Sequence, residues 1–184
     1  MNIKKIFTIL ILSLFGILQV VADERADQLN KLFNQLKIDN PTLTSKIEQK
    51  IWKIWSTHPK KNNLTLMLSK GSNLVNNDQL IEAVNVFTEV INLDPSWAEA
   101  WNKRATVFYL LGEFEKSQND IDKVLELEER HFGALAGQGL VNIKLKNYEK
   151  AILSYEKAQK IYPSMKSPKI MIKEIEKLIK KQSI

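Results

Sequence analysis

Between residues 98 and 127 the apolar positions fall on two helical stripes. Trp101, Ala105, Phe108 and Leu111 stand at i, i+4, i+7 and i+10, one face of a helix. Gly112 then supplies the positive φ that ends a helix. Phe114, Ser117, Ile121, Val124 and Leu125 form a second stripe. The pattern predicts two antiparallel helices joined by a tight turn. Upstream, Leu29, Leu32, Phe33 and Leu36 share one face and Ile47, Ile51, Trp52, Ile54 and Trp55 another. They are separated by "NPTLTSK", with Pro41 placed to start a helix. Downstream of Pro168, Met171, Ile172, Ile175, Leu178 and Ile179 make an apolar stripe among five lysines, Lys169, Lys173, Lys177, Lys180 and Lys181.

The stripes recur with a fixed period. Gly71, Ala105 and Gly139 are 34 residues apart, as are Ala83, Ser117 and Ala151, and Phe87, Ile121 and Tyr155. Pro95 and Pro163 are two periods apart, with Glu129 between them. Internal repetition of this length marks stacked supersecondary units. The small columns have a packing reason: two helices joined by a short turn approach closely where they cross, and only Gly, Ala or Ser fits there. Trp97 and Trp101, one turn apart, are expected in the seam between the first and second units.

These columns resemble the W-x2-L-G-x2-Y … A-x3-F … P pattern of tetratricopeptide repeats. Met67, Lys70, Gly71, Leu74, Ala83, Phe87 and Pro95 carry it in the first unit. Trp101, Arg104, Ala105, Phe108, Ser117, Ile121 and Glu129 carry it in the second, and Leu135, Gln138, Gly139, Asn142, Ala151, Tyr155 and Pro163 in the third. The resemblance implies an all-α, right-handed solenoid of antiparallel helix pairs. The expected organisation is a leader at 1–22, a degenerate helix pair at 23–63 capping the open end, repeats at 64–97, 98–131 and 132–165, and a capping helix at 166–184. Lys70, Arg104 and Gln138 replace the family's Leu, and Asn142 replaces an aromatic, so looser first helices are expected there.

The first residues read differently from the rest. Lys4 and Lys5 precede an uncharged run from Ile6 to Val21, and Val20-Val21-Ala22 fits a cleavage site before Asp23. This three-part pattern predicts export, to the periplasm of a bacterium. The alternative is an uncleaved anchor, for which the run is short.

Composition removes several chemistries. There is no Cys, hence no disulfide framework, thiolate zinc site or thiol redox motif. His58 and His131 are far apart and read as packing or surface residues. The formal charge of +6 comes from a lysine-rich set with only Arg25, Arg104 and Arg130, which argues against a selected nucleic-acid surface. Charge is uneven, net −6 over 64–130 and net +7 over 131–184, which can orient a charged partner or let copies associate head to tail. No G-x-S-x-G, H-E-x-x-H or phosphate loop is present, and the glycines of "GALAGQG" fall inside a predicted helix. No catalytic residue, cofactor or metal is expected, and the chain reads as a non-enzyme.

What remains is binding to another protein or peptide. By the resemblance, partners lie along the concave wall formed by the first helix of each unit. The lining positions are Leu68, Ser72 and Val75, then Asn102, Thr106 and Tyr109, then Ala136, Leu140 and Ile143, with Lys144 at the edge. The family's carboxylate-clamp subtype places charged and amide residues at points that here hold Leu68, Ser72, Gly133 and Gly137. A mixed to apolar groove is expected, suited to a helix or an extended peptide. The expected role is a scaffold or adaptor of the cell envelope. The alternative is a membrane-associated adaptor held by its N-terminus and the basic C-terminal helix.

Overall fold

The structure, a computed structural model, describes residues 24–38 and 40–182. The expected leader and its cleavage point lie outside the described residues. Among the described residues the regular structure is helical throughout. Helix α1 covers 24–36 and α2 Pro41–Trp55. The expected repeats are the pairs α3 (Asn62–Asn76) with α4 (Leu80–Leu93), α5 (Ala98–Leu110) with α6 (Phe114–Leu127), and α7 (Phe132–Lys144) with α8 (Tyr148–Ile161). Helix α9 spans Lys166–Gln182. Each helix packs on the next from α3 onward, so the three pairs stack into a solenoid.

The small column is fixed by what faces it. A Cβ on Gly71 would lie 2.5 Å from Cε1 of Phe87, and one on Gly139 would lie 2.5 Å from Cε2 of Tyr155. In the middle unit the facing residue is the slimmer Ile121, and there the column holds Ala105. Glycine therefore occurs where the second helix brings an aromatic ring to the crossing. Ser117 adds a buried bond in the middle unit, its Oγ donating to the carbonyl of Ala105 at 2.8 Å.

Each pair closes through the same turn. Asp78, Gly112 and Lys146 occupy one column and all have positive φ, 59°, 77° and 60°. The following amides, of Gln79, Glu113 and Asn147, reach back to the carbonyls of Leu74, Phe108 and Asn142 at 2.9, 2.9 and 2.8 Å. This is the Schellman closure of a helix C-terminus.

Three of the departures from the family pattern, Arg104, Gln138 and Asn142, are bonded into the packing, while Lys70 is exposed. Arg104 donates through Nε and Nη2 to both oxygens of Asp120 at 2.8 Å, and through Nη1 to Thr88 Oγ1 at 3.0 Å. Its guanidinium lies 5.0 Å from the Trp101 ring centre. One period later Gln138 repeats the arrangement. Its Nε2 donates to Asp122 at 3.2 Å and its Oε1 accepts from Ser154 at 2.9 Å. Thr88 and Asp122 share one column, and Asp120 and Ser154 another. A polar side chain thus ties each second helix to the one before it. Asn142 is buried and donates to the Gln138 carbonyl at 2.9 Å and to Gln118 at 3.3 Å.

Helix rotation also departs from expectation in α5. Val107, not Phe108, is fully buried in the core shared by the first two units. Phe108 is half-buried and sits under Arg104 and Lys116, 5.6 and 5.7 Å away. Trp97 is buried in the seam as expected, and Trp101 packs against the cores on both sides of it.

The N-terminal pair forms, but its apolar face is not laid on the open end of the first unit. Leu29, Leu32, Phe33, Leu36, Ile47, Ile51 and Trp55 share a core with Phe132 and Tyr162, flanked by Ile161 and Met165. The hairpin lies along the edge where the chain passes from one unit to the next. The first unit closes its own end. Positions that are Val107 and Leu111 in the second unit are Asn73 and Asn77 in the first, and Asn63, one period before Trp97, is polar as well. A polar outer face is what a terminal repeat needs. At the other end α9 covers the third unit through Ile175, buried against Ala151 and Tyr155, with Met171, Ile172 and Ile179 beside it. Leu178, expected on that stripe, is exposed. Among the described residues no helix is long and apolar enough to cross a membrane.

Candidate functional site

The first helices of the units bring four of the expected groove residues together. Asn102, Thr106, Tyr109 and Leu140 line a narrow cleft of about 80 Å³ between α5 and α7, floored by Ala105, Ile121 and Val141. Gly133 and Gly137 line it too. No charged side chain is among the lining residues. Thr106 and Leu140 are exposed, while Tyr109 is half-buried with its ring 5.6 Å from Phe114.

The other expected positions are not part of this cleft. Leu68 is buried in the core of the first two units and offers no surface, which corrects its placement on the wall. Ser72 is half-buried and returns its hydroxyl to the Leu68 carbonyl. Val75 packs against the same core. Ala136 and Ile143 turn toward the core under α9, and Lys144 is exposed at the end of α7.

Sequence reasoning missed what stands at the mouth of the cleft. A Cβ on Gly133 would lie 2.5 Å from Cη2 of Trp52, so the indole of α2 occupies the place a side chain at that position would fill. Next to it, His131 caps α7: its Nδ1 accepts from the amide of Ala134 at 3.0 Å. The proton must then be on Nε2, which donates to Oε2 of Glu99 at 3.2 Å. Asn102 donates to that same oxygen at 3.1 Å. Lys103 Nζ lies 3.3 Å from Oε1. Burial alone would raise the Glu99 carboxyl, but the hydrogen bond from His131, with the charge of Lys103, holds it below the usual range. Trp55 covers the imidazole. The position of His131 one period after Trp97 was the signal available in the sequence, since both loops need a ring to meet the hairpin. Among the described residues no group of three His, Asp or Glu is arranged to hold a metal.

The stacked pairs, the Schellman turns and the glycine–aromatic crossings describe one repeat type, and comparison with known proteins agrees. A family model for the tetratricopeptide repeat matches residues 98–131 and 133–165. A TPR repeat-containing protein of Rhizobium etli is 32% identical over 138 residues, 74% of this chain and 67% of that one. The chain belongs to the tetratricopeptide repeat family. The first unit, α3–α4, lies outside the matched segments, but it carries the same crossing and the same turn. Hsp70-Hsp90 organizing protein 1 of Glycine max is 30% identical over 95 residues, 52% of this chain and only 17% of that protein. The first TPR of Spaghetti (RPAP3), solved bound to the HSP90 peptide SRMEEVD, superposes with a TM-score of 0.62 at 19% identity. It covers 63% of this chain and 92% of that domain. At that identity it shows the shared fold.

Proposed function

We propose that this protein is a non-catalytic scaffold of the bacterial cell envelope that holds a peptide or helix of another protein in the α5–α7 cleft. The observation that carries the reading is the uncharged cleft of Asn102, Thr106, Tyr109 and Leu140 on the first helices of a TPR solenoid. The RPAP3 domain was solved with an acidic peptide in hand. Here Leu68, Ser72, Gly133 and Gly137 stand at clamp positions and offer such a peptide no cation. The ligand is therefore apolar or mixed in character, not an acidic tail. Export is read from Lys4 and Lys5, the uncharged run Ile6–Val21 and the small residues before Asp23.

The test is capture of a partner from an envelope extract by the wild-type chain and by Thr106→Arg. The arginine places a charge and bulk in the cleft at an exposed position, so the fold tolerates it. A partner recovered equally by both chains would remove the cleft from the mechanism. Intact mass tests export, since processing leaves a chain that starts at Asp23.

A second reading, a membrane-associated adaptor, is favoured by α9. Its lysines Lys169, Lys173, Lys177, Lys180 and Lys181 are exposed together with Ile170 and Leu178. Flotation with anionic vesicles, with and without lysine-to-glutamine changes in α9, decides it.

A further inference from the structure

The chain has two histidines, and both are buried where the N-terminal hairpin and its linker meet the solenoid. Both use their nitrogens in the same way. His58 accepts the amides of Lys60 and Lys61 on Nδ1 at 3.1 and 2.9 Å, just ahead of α3. Its Nε2 meets Asp94 Oδ2 at 2.8 Å. His131 accepts the amide of Ala134 on Nδ1 at the start of α7 and gives Nε2 to Glu99. Each ring also carries an indole. Trp97 stands edge-on to His58 at 5.0 Å, and Trp55 is stacked on His131. The indole N–H of Trp97 donates to the Trp55 carbonyl at 2.8 Å, which links the two pins.

This arrangement needs both rings neutral. A second proton can go only on Nδ1, which faces backbone N–H groups at the positive end of a helix. The neighbouring carboxylate favours the charged ring, but the ring cannot turn without giving that carboxylate up. A charged imidazole keeps its carboxylate only by leaving the backbone donors, and the indole stacked on it moves with it. Imidazole is the side chain that changes charge between about pH 5 and 8.

The surrounding charges do not remove this conflict. Around His131, α5 presents Glu99 and Lys103, α2 presents Trp55 and Trp52, whose indole N–H donates to Glu48 at 3.3 Å, and the preceding loop holds Glu128 and Arg130 paired with each other at 2.8 Å. Around His58, the linker brings Lys60 and Lys61 and the α4–α5 loop brings Asp94. Arg25 of α1 is turned to the carbonyls of Ile54 and Thr57.

We propose that the α1–α2 hairpin is an acid-released arm: protonation of His58 and His131, the two pins beneath it, frees it from the unit edges and uncovers Gly133 at the mouth of the cleft. Trp52 leaves Gly133 when the arm lifts, so the cleft lengthens toward α2 at low pH. The gain in ligand access rests on the cleft being the binding site. The undocking does not.

Hydrogen exchange on the full chain at pH 7.5 and 5.5, corrected for intrinsic rates, tests the undocking directly. Amides of 41–55 are expected to lose at least tenfold in protection at pH 5.5, while those of α5 to α8 keep theirs. The variant His58→Asn/His131→Asn retains a side-chain oxygen for the helix amides but cannot titrate, and its α2 protection is expected to be equal at both pH values. Protection of α2 that is independent of pH in the wild type, or loss spread evenly over all helices, overturns the proposal. Should the double variant not fold, histidine resonances followed against α2 amide resonances in the wild type decide the same point. A charged histidine under a docked α2 overturns it, and loss of α2 signals at the histidine midpoint supports it. A peptide that binds at neither pH would count against the cleft and leave the arm untouched.

Discussion

The indole of Trp55 lies on the imidazole of His131 with ring centres 4.0 Å apart and planes 9° from parallel. Beneath that stack, one oxygen of Glu99 takes bonds from both His131 and Asn102. The hairpin and the cleft are therefore joined through four side chains, Trp55, His131, Glu99 and Asn102. Trp55→Ala removes a ring that is 5% exposed and packs on Trp52, Phe33 and Phe132. The expected loss is about 3–5 kcal/mol of the energy holding the hairpin. Because α3 to α8 form their own stacked cores, circular dichroism should show an early loss confined to a fraction of the helix signal. A single cooperative transition shifted as a whole would mean the hairpin and the units unfold together.

Glu99 and Asp94 give a pH dependence of known sign. Asp94 is also held below the usual carboxylate range: burial would raise it, and bonds from Ser96 and His58 outweigh that. A carboxylate with a lowered folded pKa contributes stability that is complete above its unfolded value and is lost as pH falls through the folded one. Unfolded Asp and Glu titrate near about 4. Melting temperature should therefore fall steadily below about pH 4 from this source. In Glu99→Gln that acid slope should be shallower. An unchanged slope would show that Glu99 is not ionised in the folded chain.

The crossing column predicts a specific rescue. Gly139→Ala drives a methyl against the Tyr155 ring, and overpacking of this kind costs roughly 1–3 kcal/mol. Tyr155→Ile on the same chain reproduces the Ala105–Ile121 pair of the middle unit. Most of the loss should return in the double variant, read from thermal melts. Two losses that simply add would show that the ring and the glycine do not meet.

The period of 34 made the helix pairs, their turns and the small crossings legible, because each depends on contacts within one unit. What the sequence hid depends on contacts between distant segments. The stripe Ile47, Ile51, Trp55 says that α2 buries a face, but no local rule says that the face meets Phe132 and Tyr162 rather than α3. The polar outer positions Asn63, Asn73 and Asn77 carried the information that the first unit needs no cap. In the cleft, Asn102, Thr106 and Tyr109 stand together because they share one helix face, whereas Leu68, two periods from Ala136, is buried in the core of the first two units.

Arg104 stands where the family has Leu, so Arg104→Leu restores the common residue and should nevertheless destabilise. Asp120 is 4% exposed and both its oxygens are bonded by Arg104. Removing one partner of a buried ion pair costs about 3–5 kcal/mol, because the other charge is left unpaired. Asp120→Ala placed on top of Arg104→Leu removes that orphan and should recover much of the loss. A denaturant double-mutant cycle measures the coupling. A coupling near zero would assign the pair no energetic role.

The last expectation concerns which face of α5 meets a ligand. Tyr109 lines the cleft beside Thr106 and Leu140, and its ring also rests on Phe114. Tyr109→Ala should weaken partner binding by about 2 kcal/mol, the scale of a tyrosine at an interface centre. It should also lower stability by about 1 kcal/mol through loss of the aromatic pair. Phe108, one residue earlier, points to the opposite side, under Arg104 and Lys116. Phe108→Ala forfeits two cation–ring contacts of about 0.5–1 kcal/mol each and should leave binding unchanged. Val107 is the residue of this helix turned fully inward, so Val107→Ala should be the most destabilising of the three. Melts and a titration with the captured partner, run on all three variants, separate these roles. Binding lost with Phe108→Ala and kept with Tyr109→Ala would place the ligand on the second-helix side of the solenoid, not in the cleft.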